Sequence, residues 1–286
     1  MTAILKVAAL VSVAVALSGL STIADASRLM PAHPNATGYP SIPKLISQLN
    51  SKPNLSLLAR ASAVFVQSDR YQTESEMQIK AVSVHTTVTS SARTTTLVLS
   101  PHQFRAEIVF SQSGSATPSK SVVVSDGKQV WMYRPDLKQY KVVPYKAFDD
   151  ADDNYWIGLS SLWFLEISPE VRKPIAEGAL GNPTVLRELG VSDSQLLKGG
   201  TQTVDGQAVY TYEFTDKDGF TIGAVIEPKT AVLKQIRLTG KSDGYNVDII
   251  ERILRRTANP AIAANTFKFT PPADAKEVKT LAIGPL

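Results

Sequence analysis

The sequence predicts an α+β protein built around an antiparallel β-meander. The stretch PHQFRAEIVFS, residues 101–111, shows the clearest period-two alternation, which aligns Phe104, Ala106, Ile108 and Phe110 on one face. Asp-Gly pairs, which favour tight hairpin turns, separate apolar runs at 126–127, 205–206, 218–219 and 243–244. Apolar residues between 42 and 67 instead recur at helical spacing. Sequential hairpins of this kind form a sheet with one continuous apolar face.

The N-terminus predicts export. Lys6 precedes an apolar run over residues 7–20, and Ala24-Asp25-Ala26 is a small-residue cleavage site. We therefore expect a signal peptide over 1–26 and a periplasmic or secreted mature chain after cleavage near Ala26. The apolar run is shorter than the roughly 20 residues that span a bilayer, although a retained anchor is the alternative. Residues 27–41, rich in Pro and small polar residues, predict a flexible leader.

The first elements of the domain are predicted to be two short helices or one broken helix. Ile42, Leu45, Ile46 and Leu49 follow helical spacing, and a second set of apolar residues continues it to about Ser68. Pro53 suits the first turn of the second helix. From there the period changes to two, which predicts strands over 76–89 and 93–100 before the alternating strand at 101–111.

The remaining strands lie on either side of a different segment. Residues 122–145 read as short strands around the Asp126-Gly127 turn, and after residue 200 alternation aligns three further sets of apolar residues, at 210–214, 222–226 and 245–249. Between them, an insertion over about 146–200 is first acidic and then apolar and aromatic. Long connections across a rigid sheet are often lids or binding loops. We expect one domain over 42–286, with this insertion as the place to look for function.

Composition excludes several classes of protein. The 286-residue chain has a net charge of +4 and no cysteine, so it has neither a disulfide framework nor a Cys-linked lipid anchor. Basic residues are scattered, apart from Arg252, Arg255 and Arg256, and this trio fits a solvated strand end better than an anion-binding patch. We expect no nucleic-acid partner.

Motifs for catalysis or metal binding are also missing. His33, His85 and His102 share no ligand spacing. Four aspartates at 149, 150, 152 and 153 lack the Gly and terminal Glu of an EF-hand, so they predict the acidic start of a helix. No nucleophile or phosphate-loop motif occurs in the sequence. We therefore expect no enzyme activity, no cofactor and no metal.

A surplus of large apolar side chains is the most informative feature. Aromatic residues in 131–133 and 155–164 exceed what a single-sided sheet needs. They could form an ordinary core beneath the helices, or sheet and helices could enclose an apolar ligand cavity. In the strand 129–134, Val130 and Met132 alternate with Trp131 and Tyr133, so both faces are apolar. The pattern leaves open which face lines the cavity.

Two stretches carry a family resemblance. VVVSDGKQVWMYRPDLKQYKVVP, residues 122–144, and FKFTPPADAKEV, residues 267–278, resemble the periplasmic lipoprotein carriers of the LolA/LolB type. The resemblance implies an unclosed, antiparallel β-barrel whose concave face is covered by helices, with acyl chains held between them. One departure is Ser100, at a position where these carriers place an arginine that helps to hold the lid closed.

The resemblance implies a non-catalytic, monomeric carrier or binder of lipoproteins or other acylated molecules. Its partners would be lipoprotein acyl chains or lipid, with an inner-membrane donor and an outer-membrane acceptor. The alternative is an envelope sensor of the same fold that detects lipoproteins or peptides. We expect the cavity and its lid to be formed by Phe104, Ile108, Phe110, Trp131, Tyr133, Trp156, Leu162, Trp163, Phe164, Tyr210 and Tyr212.

Overall fold

One large sheet and the helices on its concave face make up the described structure. The computed structural model describes residues 52–111, 119–188, 197–204, 206–215, 219–242 and 244–284. The expected signal peptide, leader and first helix lie outside these residues, as do the aspartates of three of the four Asp-Gly pairs. Within the described residues, no helix is both long enough and apolar enough to cross a membrane.

The helices fall into two groups, one before the first strand and one within the insertion. They are α1 (Leu55–Val66), α2 (Tyr145–Asp149), α3 (Leu159–Glu166), α4 (Pro169–Ala176) and α5 (Pro183–Glu188), with 3₁₀ turns at Asn154–Ile157 and Ala179–Gly181. The predicted second helix is confirmed as α1. It begins two residues later than Pro53 suggested, because Asn54 is the N-cap and its side chain accepts a hydrogen bond from the Leu57 amide at 3.0 Å.

The strands follow one another in two runs separated by the insertion. The first run is β1 (Arg70–Val82), β2 (Thr87–Leu99), β3 (Gln103–Ser111), β4 (Ser119–Asp126), β5 (Gln129–Arg134) and β6 (Gln139–Pro144). The second is β7 (Leu197–Val204), β8 (Gln207–Thr215), β9 (Thr221–Ile226), β10 (Leu233–Ser242), β11 (Tyr245–Ala258) and the short β12 (Lys276–Glu277). The first hairpin turns at 83–86 rather than near 90 as expected, because Ser83 and Thr86 close a turn there.

These twelve strands form one unclosed sheet, in the order β12-β6-β5-β4-β3-β2-β1-β11-β10-β9-β8-β7. All neighbouring pairs are antiparallel except β12 with β6, and β1 joins the two runs by pairing with both β2 and β11. The sheet does not close, since β12 and β7 are its edges. The predicted fold class, an α+β half-barrel whose concave face is covered by helices, is confirmed.

The strand register shows that one face of the sheet is continuous from β2 to β5. Phe104 on β3 is opposite Val98 on β2 and Ser125 on β4, and Ser125 is in turn opposite Val130 on β5. The buried face of β5 therefore carries Val130 and Met132. Trp131 and Tyr133 lie on the convex face, where the Tyr133 ring lies 5.7 Å from that of Phe269 in the C-terminal segment.

Candidate ligand cavity

A small apolar cavity lies between α1 and the second run of strands. Its volume is about 60 Å³. No charged side chain is among the described residues that line it, and its hydroxyl groups are those of Ser62 and Tyr212. The lining residues are Leu58, Ala61, Ser62 and Phe65 of α1, Trp163 of α3, and Leu197, Tyr212, Phe214, Ile222, Ala224, Ile226 and Leu233 of the sheet.

Two tyrosines of β8 fix the N-terminal end of α1 over this cavity. The Tyr210 hydroxyl accepts a hydrogen bond from the backbone amide of Asn54 at 2.9 Å. The Tyr212 hydroxyl donates to the Asn54 carbonyl at 2.6 Å. Burial raises the pKa of the Tyr212 phenol, so the donor stays protonated at neutral pH. The pair anchors the N-cap of α1 to a strand far away in sequence.

Gly199 on β7 provides the space for this anchor. A Cβ atom at Gly199 would lie 2.7 Å from the Tyr210 hydroxyl and 2.9 Å from its ring. Tyr210 therefore lies directly over the glycine backbone. The centres of the Tyr210 and Tyr212 rings are 4.8 Å apart. A side chain at this strand position would displace Tyr210 from Asn54.

Arg256 of β11 holds the opposite end of α1. Its guanidinium is buried, donates to the Phe65 carbonyl at 2.9 Å and stacks on the rings of Tyr71 and Phe65 at 3.6 and 4.0 Å. Burial lowers the pKa of Arg256 to about 10, which still leaves it charged at neutral pH. The expectation of a solvated basic trio is therefore wrong for Arg256, because a bulge in β11 opposite Glu74 and Ser75 places it on the concave face.

A buried carboxylate on the same strand fixes the insertion. Glu251 is fully buried and accepts hydrogen bonds from the Ser160 amide at 2.6 Å and from the Ser160 hydroxyl at 2.8 Å. Burial raises the pKa of Glu251, and the hydrogen bonds from Ser160 oppose that shift. A Cβ atom at Gly158 would lie 2.8 Å from Glu251 Oε1, so the glycine permits this close approach.

Two threonines of β2 also attach the insertion to the sheet. Thr94 donates its hydroxyl hydrogen to the Trp156 carbonyl at 3.0 Å, and Thr96 donates to the Ile157 carbonyl at 2.7 Å. All four groups are buried. These bonds satisfy backbone carbonyls that would otherwise be buried without partners. The segment from the 3₁₀ turn to α3 is thus tied to the sheet by specific hydrogen bonds as well as by apolar packing.

The C-terminal segment covers the other end of the concave face. The Ile283 carbonyl accepts a hydrogen bond from Ser121 at 2.6 Å, and the Gly284 carbonyl accepts one from Arg134 at 3.0 Å. The Ile283 amide donates to Asp153 at 2.7 Å. Ile283 is itself buried. This half of the face is therefore filled by the protein's own chain.

The predicted site residues fall into three groups. Tyr212 and Trp163 line the cavity, with Tyr210 beside it and Leu162 partly buried against the core. Buried core away from the cavity holds five others: Phe104, Ile108, Phe110, Trp156 and Phe164. They contact one another or other core residues, as Phe110 does with Trp156 at a ring distance of 4.9 Å.

Trp131 and Tyr133 are the remaining two predicted site residues. We expected them to line the cavity, and in the structure they do not. They lie on the convex face because their strand alternates and Val130 and Met132 take the buried side.

Other residues noted in the sequence have structural contacts. Of the four aspartates, Asp150 forms an ion pair with Lys146, and Asp153 accepts a hydrogen bond from the Ile283 amide. Ser100, where the resemblance implies an arginine, accepts a hydrogen bond from Arg172 of α4.

Sequence reasoning missed Glu251, although its signal was present. The alternation Tyr245, Val247, Ile249 continues to residue 251, which places a charged residue at a core position. Such a group needs a buried partner.

Comparison with known proteins places the chain in a family. The family model described as "Predicted periplasmic protein (DUF2092)" matches residues 55–281. The chain belongs to the DUF2092 family.

This DUF2092 protein also resembles curated lipoprotein carriers. It is 27% identical over 184 residues to the outer-membrane lipoprotein carrier protein of Xanthomonas campestris pv. campestris strain B100. The matched region covers 60% of this chain and 64% of that protein. The corresponding protein of Xanthomonas axonopodis pv. citri is 26% identical over 196 residues, covering 64% of this chain and 69% of that protein. The match thus spans just under two thirds of the first relative, and the sequence resemblance to LolA-type carriers is confirmed.

Solved structures similar to this DUF2092 protein include LprF from Mycobacterium bovis, at 14% identity and a TM-score of 0.38, covering 79% of this chain and 100% of that one. Another is the LolA superfamily protein NE2245 from Nitrosomonas europaea, at 10% identity and a TM-score of 0.31, covering 74% of this chain and 96% of that one.

Proposed function

We propose that this DUF2092 protein binds and carries an acylated or similarly hydrophobic molecule in the periplasm, without catalysing a reaction on it. The observation that carries the proposal is the uncharged cavity between α1 and strands β7 to β10. Each buried methylene group contributes about 0.8 kcal/mol. One acyl chain would therefore bind usefully yet reversibly, with no polar anchor inside the cavity.

Loading requires the cavity to widen. At about 60 Å³ it is much smaller than the roughly 300–1,000 Å³ of typical ligand sites. The insertion is tied to the sheet by Glu251, Thr94 and Thr96, whereas α1 is held at its two ends and by the exposed Arg60, which donates to the turn between β9 and β10. We infer that the sheet and α3 stay in place and that α1 moves outward as the chain enters.

The family's description and the curated carriers support a periplasmic setting. We propose that export removes residues 1–26 and that the acyl chain belongs to a lipoprotein or a lipid. An inner-membrane donor and an outer-membrane acceptor would then deliver and take up the cargo.

The experiment that tests this proposal combines a fluorescent fatty-acyl probe with one charged substitution. Trp163→Asp places a carboxylate in the cavity lining, where an unpaired charge is costly, so we expect probe affinity to fall more than tenfold. Trp131→Asp, on the convex face, is the matched control and should bind the probe as wild type does.

Circular dichroism of both variants separates binding from folding. Equal probe affinity in wild type and Trp163→Asp would contradict the proposal, and so would lost affinity that accompanies global unfolding. Mass spectrometry of gently purified protein should also detect a co-purified acylated molecule.

A further inference from the structure

Positively charged side chains lie near one edge of the cavity, whereas no charged side chain among the described residues lines its interior. Three of the residues that line it are only partly buried: Leu58 of α1, Ala224 of β9, and Leu233, which directly follows the turn between β9 and β10. That turn is closed by a hydrogen bond from the Glu227 amide to the Val232 carbonyl at 2.9 Å. The cavity therefore approaches the surface beside this turn and the N-terminal half of α1.

Arg60 joins these two elements. Its guanidinium donates to the Pro228 and Lys229 carbonyls at 3.3 and 2.8 Å, which holds the exposed face of α1 against the turn. Because both partners are neutral carbonyl groups, the arginine keeps its positive charge uncompensated. Within the described part of the chain, Arg60 forms no ion pair.

Two lysines extend the positive charge along the same turn. Lys229 and Lys234 are exposed, and Lys229 has no acidic partner among the residues the structure describes. Lys234 lies 3.6 Å from Glu227, the one acid of the turn. We call Arg60, Lys229 and Lys234 the basic rim. Around this turn, the three positive charges of the basic rim outnumber the one negative charge of Glu227 by two.

We propose that the ligand is an anionic amphiphile, with its acyl chain in the cavity and its carboxylate or phosphate head at the basic rim. This inference rests on the proposed function, since it assigns the head of the molecule whose tail the cavity holds. An uncharged interior and a positive edge match the two ends of such a ligand. The exposed rim would contribute selectivity between heads more than overall affinity, because exposed ion pairs are weak.

The test compares two lipids that share a palmitoyl chain and differ in head charge. Lysophosphatidylglycerol is anionic and lysophosphatidylcholine is zwitterionic, and both are titrated calorimetrically below their critical micelle concentrations. At low salt we expect about fivefold tighter binding of the anionic lipid. The difference should shrink as salt is added, because the rim is exposed. Inorganic phosphate should not compete, since it lacks the acyl chain.

Charge-removing variants locate the effect. Lys229→Gln with Lys234→Gln should abolish the preference and leave the affinity for the zwitterionic lipid unchanged. The matched control is Lys80→Gln with Lys241→Gln, which removes two exposed lysines from the convex face and should keep the preference.

Equal binding of the two lipids to wild type would overturn this inference and leave the proposed function intact. Loss of the preference for the anionic lipid in the Lys80→Gln, Lys241→Gln control would have the same meaning. Failure of both lipids to bind would instead count against the proposed function.

Discussion

The backbone amide of Ser160 lies 2.6 Å from Oε2 of Glu251, so a carboxylate with no exposure to solvent accepts a hydrogen bond at the first turn of α3. Glu251→Ala would leave this amide and the Ser160 hydroxyl without an acceptor and would also create a void. We expect a loss of about 3 kcal/mol in the free energy of unfolding, measured with urea. Glu76→Ala, an exposed residue of β1, should change it by less than about 0.5 kcal/mol.

The same carboxyl should give stability a particular pH dependence. Burial raises its pKa above the ordinary value of 4.5, so the folded state binds the proton more tightly than the unfolded state. The resulting stabilisation is complete below about pH 4.5 and is lost as the pH rises through the folded-state pKa.

Glu251→Gln removes this titration. The stability of wild type minus that of the variant should therefore decrease as the pH rises above 4.5, when urea unfolding is measured across that range. A difference that stays constant or increases would show that the folded protein does not hold the proton more tightly. Asp153, whose pKa burial also raises, is present in both proteins and cancels in the difference.

The neighbouring arginines Arg255 and Arg256 of β11 should contribute unequally to stability. Arg256→Ala removes a buried guanidinium that stacks on two rings and satisfies the Phe65 carbonyl, and should cost about 3 kcal/mol. Arg255→Ala removes an exposed ion pair with Glu74 and should cost less than about 1 kcal/mol. Arg256→Lys should restore only part of the loss, because an ammonium lacks the planar surface that stacks. Equal costs for both alanine variants in urea unfolding would contradict this account of Arg256.

Tyr212→Phe tests whether the N-cap of α1 restrains the cavity. It removes the hydroxyl that donates to Asn54 and should lower the free energy of unfolding by about 1 kcal/mol. Because that end of the helix is then less restrained, the acyl probe should associate faster in stopped-flow fluorescence. Tyr133→Phe, on the convex face, is the control for loss of a tyrosine hydroxyl. An unchanged association rate in Tyr212→Phe would mean that this bond does not limit entry.

Local patterns predicted much of the fold. The alternation of Phe104 to Phe110 identified β3, the Asp126-Gly127 pair marked a turn, and helical spacing identified α1. Each of these elements is encoded within a few consecutive residues, because strand and helix periodicities are local properties.

The position of the site depended on contacts that no local pattern records. Both faces of β5 are apolar, so its orientation follows from what covers each side, and Phe269 reaches the convex side from a distant segment. Arg256 of β11 and Phe65 of α1, which meet where the helix packs on the sheet, are 191 residues apart. The bulge that turns Arg256 inward has no marker such as a glycine in the sequence around it. Tertiary contact therefore decided which aromatic residues face the cavity.

The pairing of β1 with both β2 and β11 has a consequence for the order in which the molecule assembles. Apart from β12, which pairs with the distant β6, each run of strands can form from hairpins between near neighbours, which is fast, whereas the β1–β11 pair must bring together distant parts of the chain. Helix α1 directly precedes β1, yet the strands that line the cavity beneath it, β7 to β10, belong to the other run. The apolar cavity therefore comes into existence only when the two halves join, and until then a partly folded chain exposes the apolar surfaces that later line it.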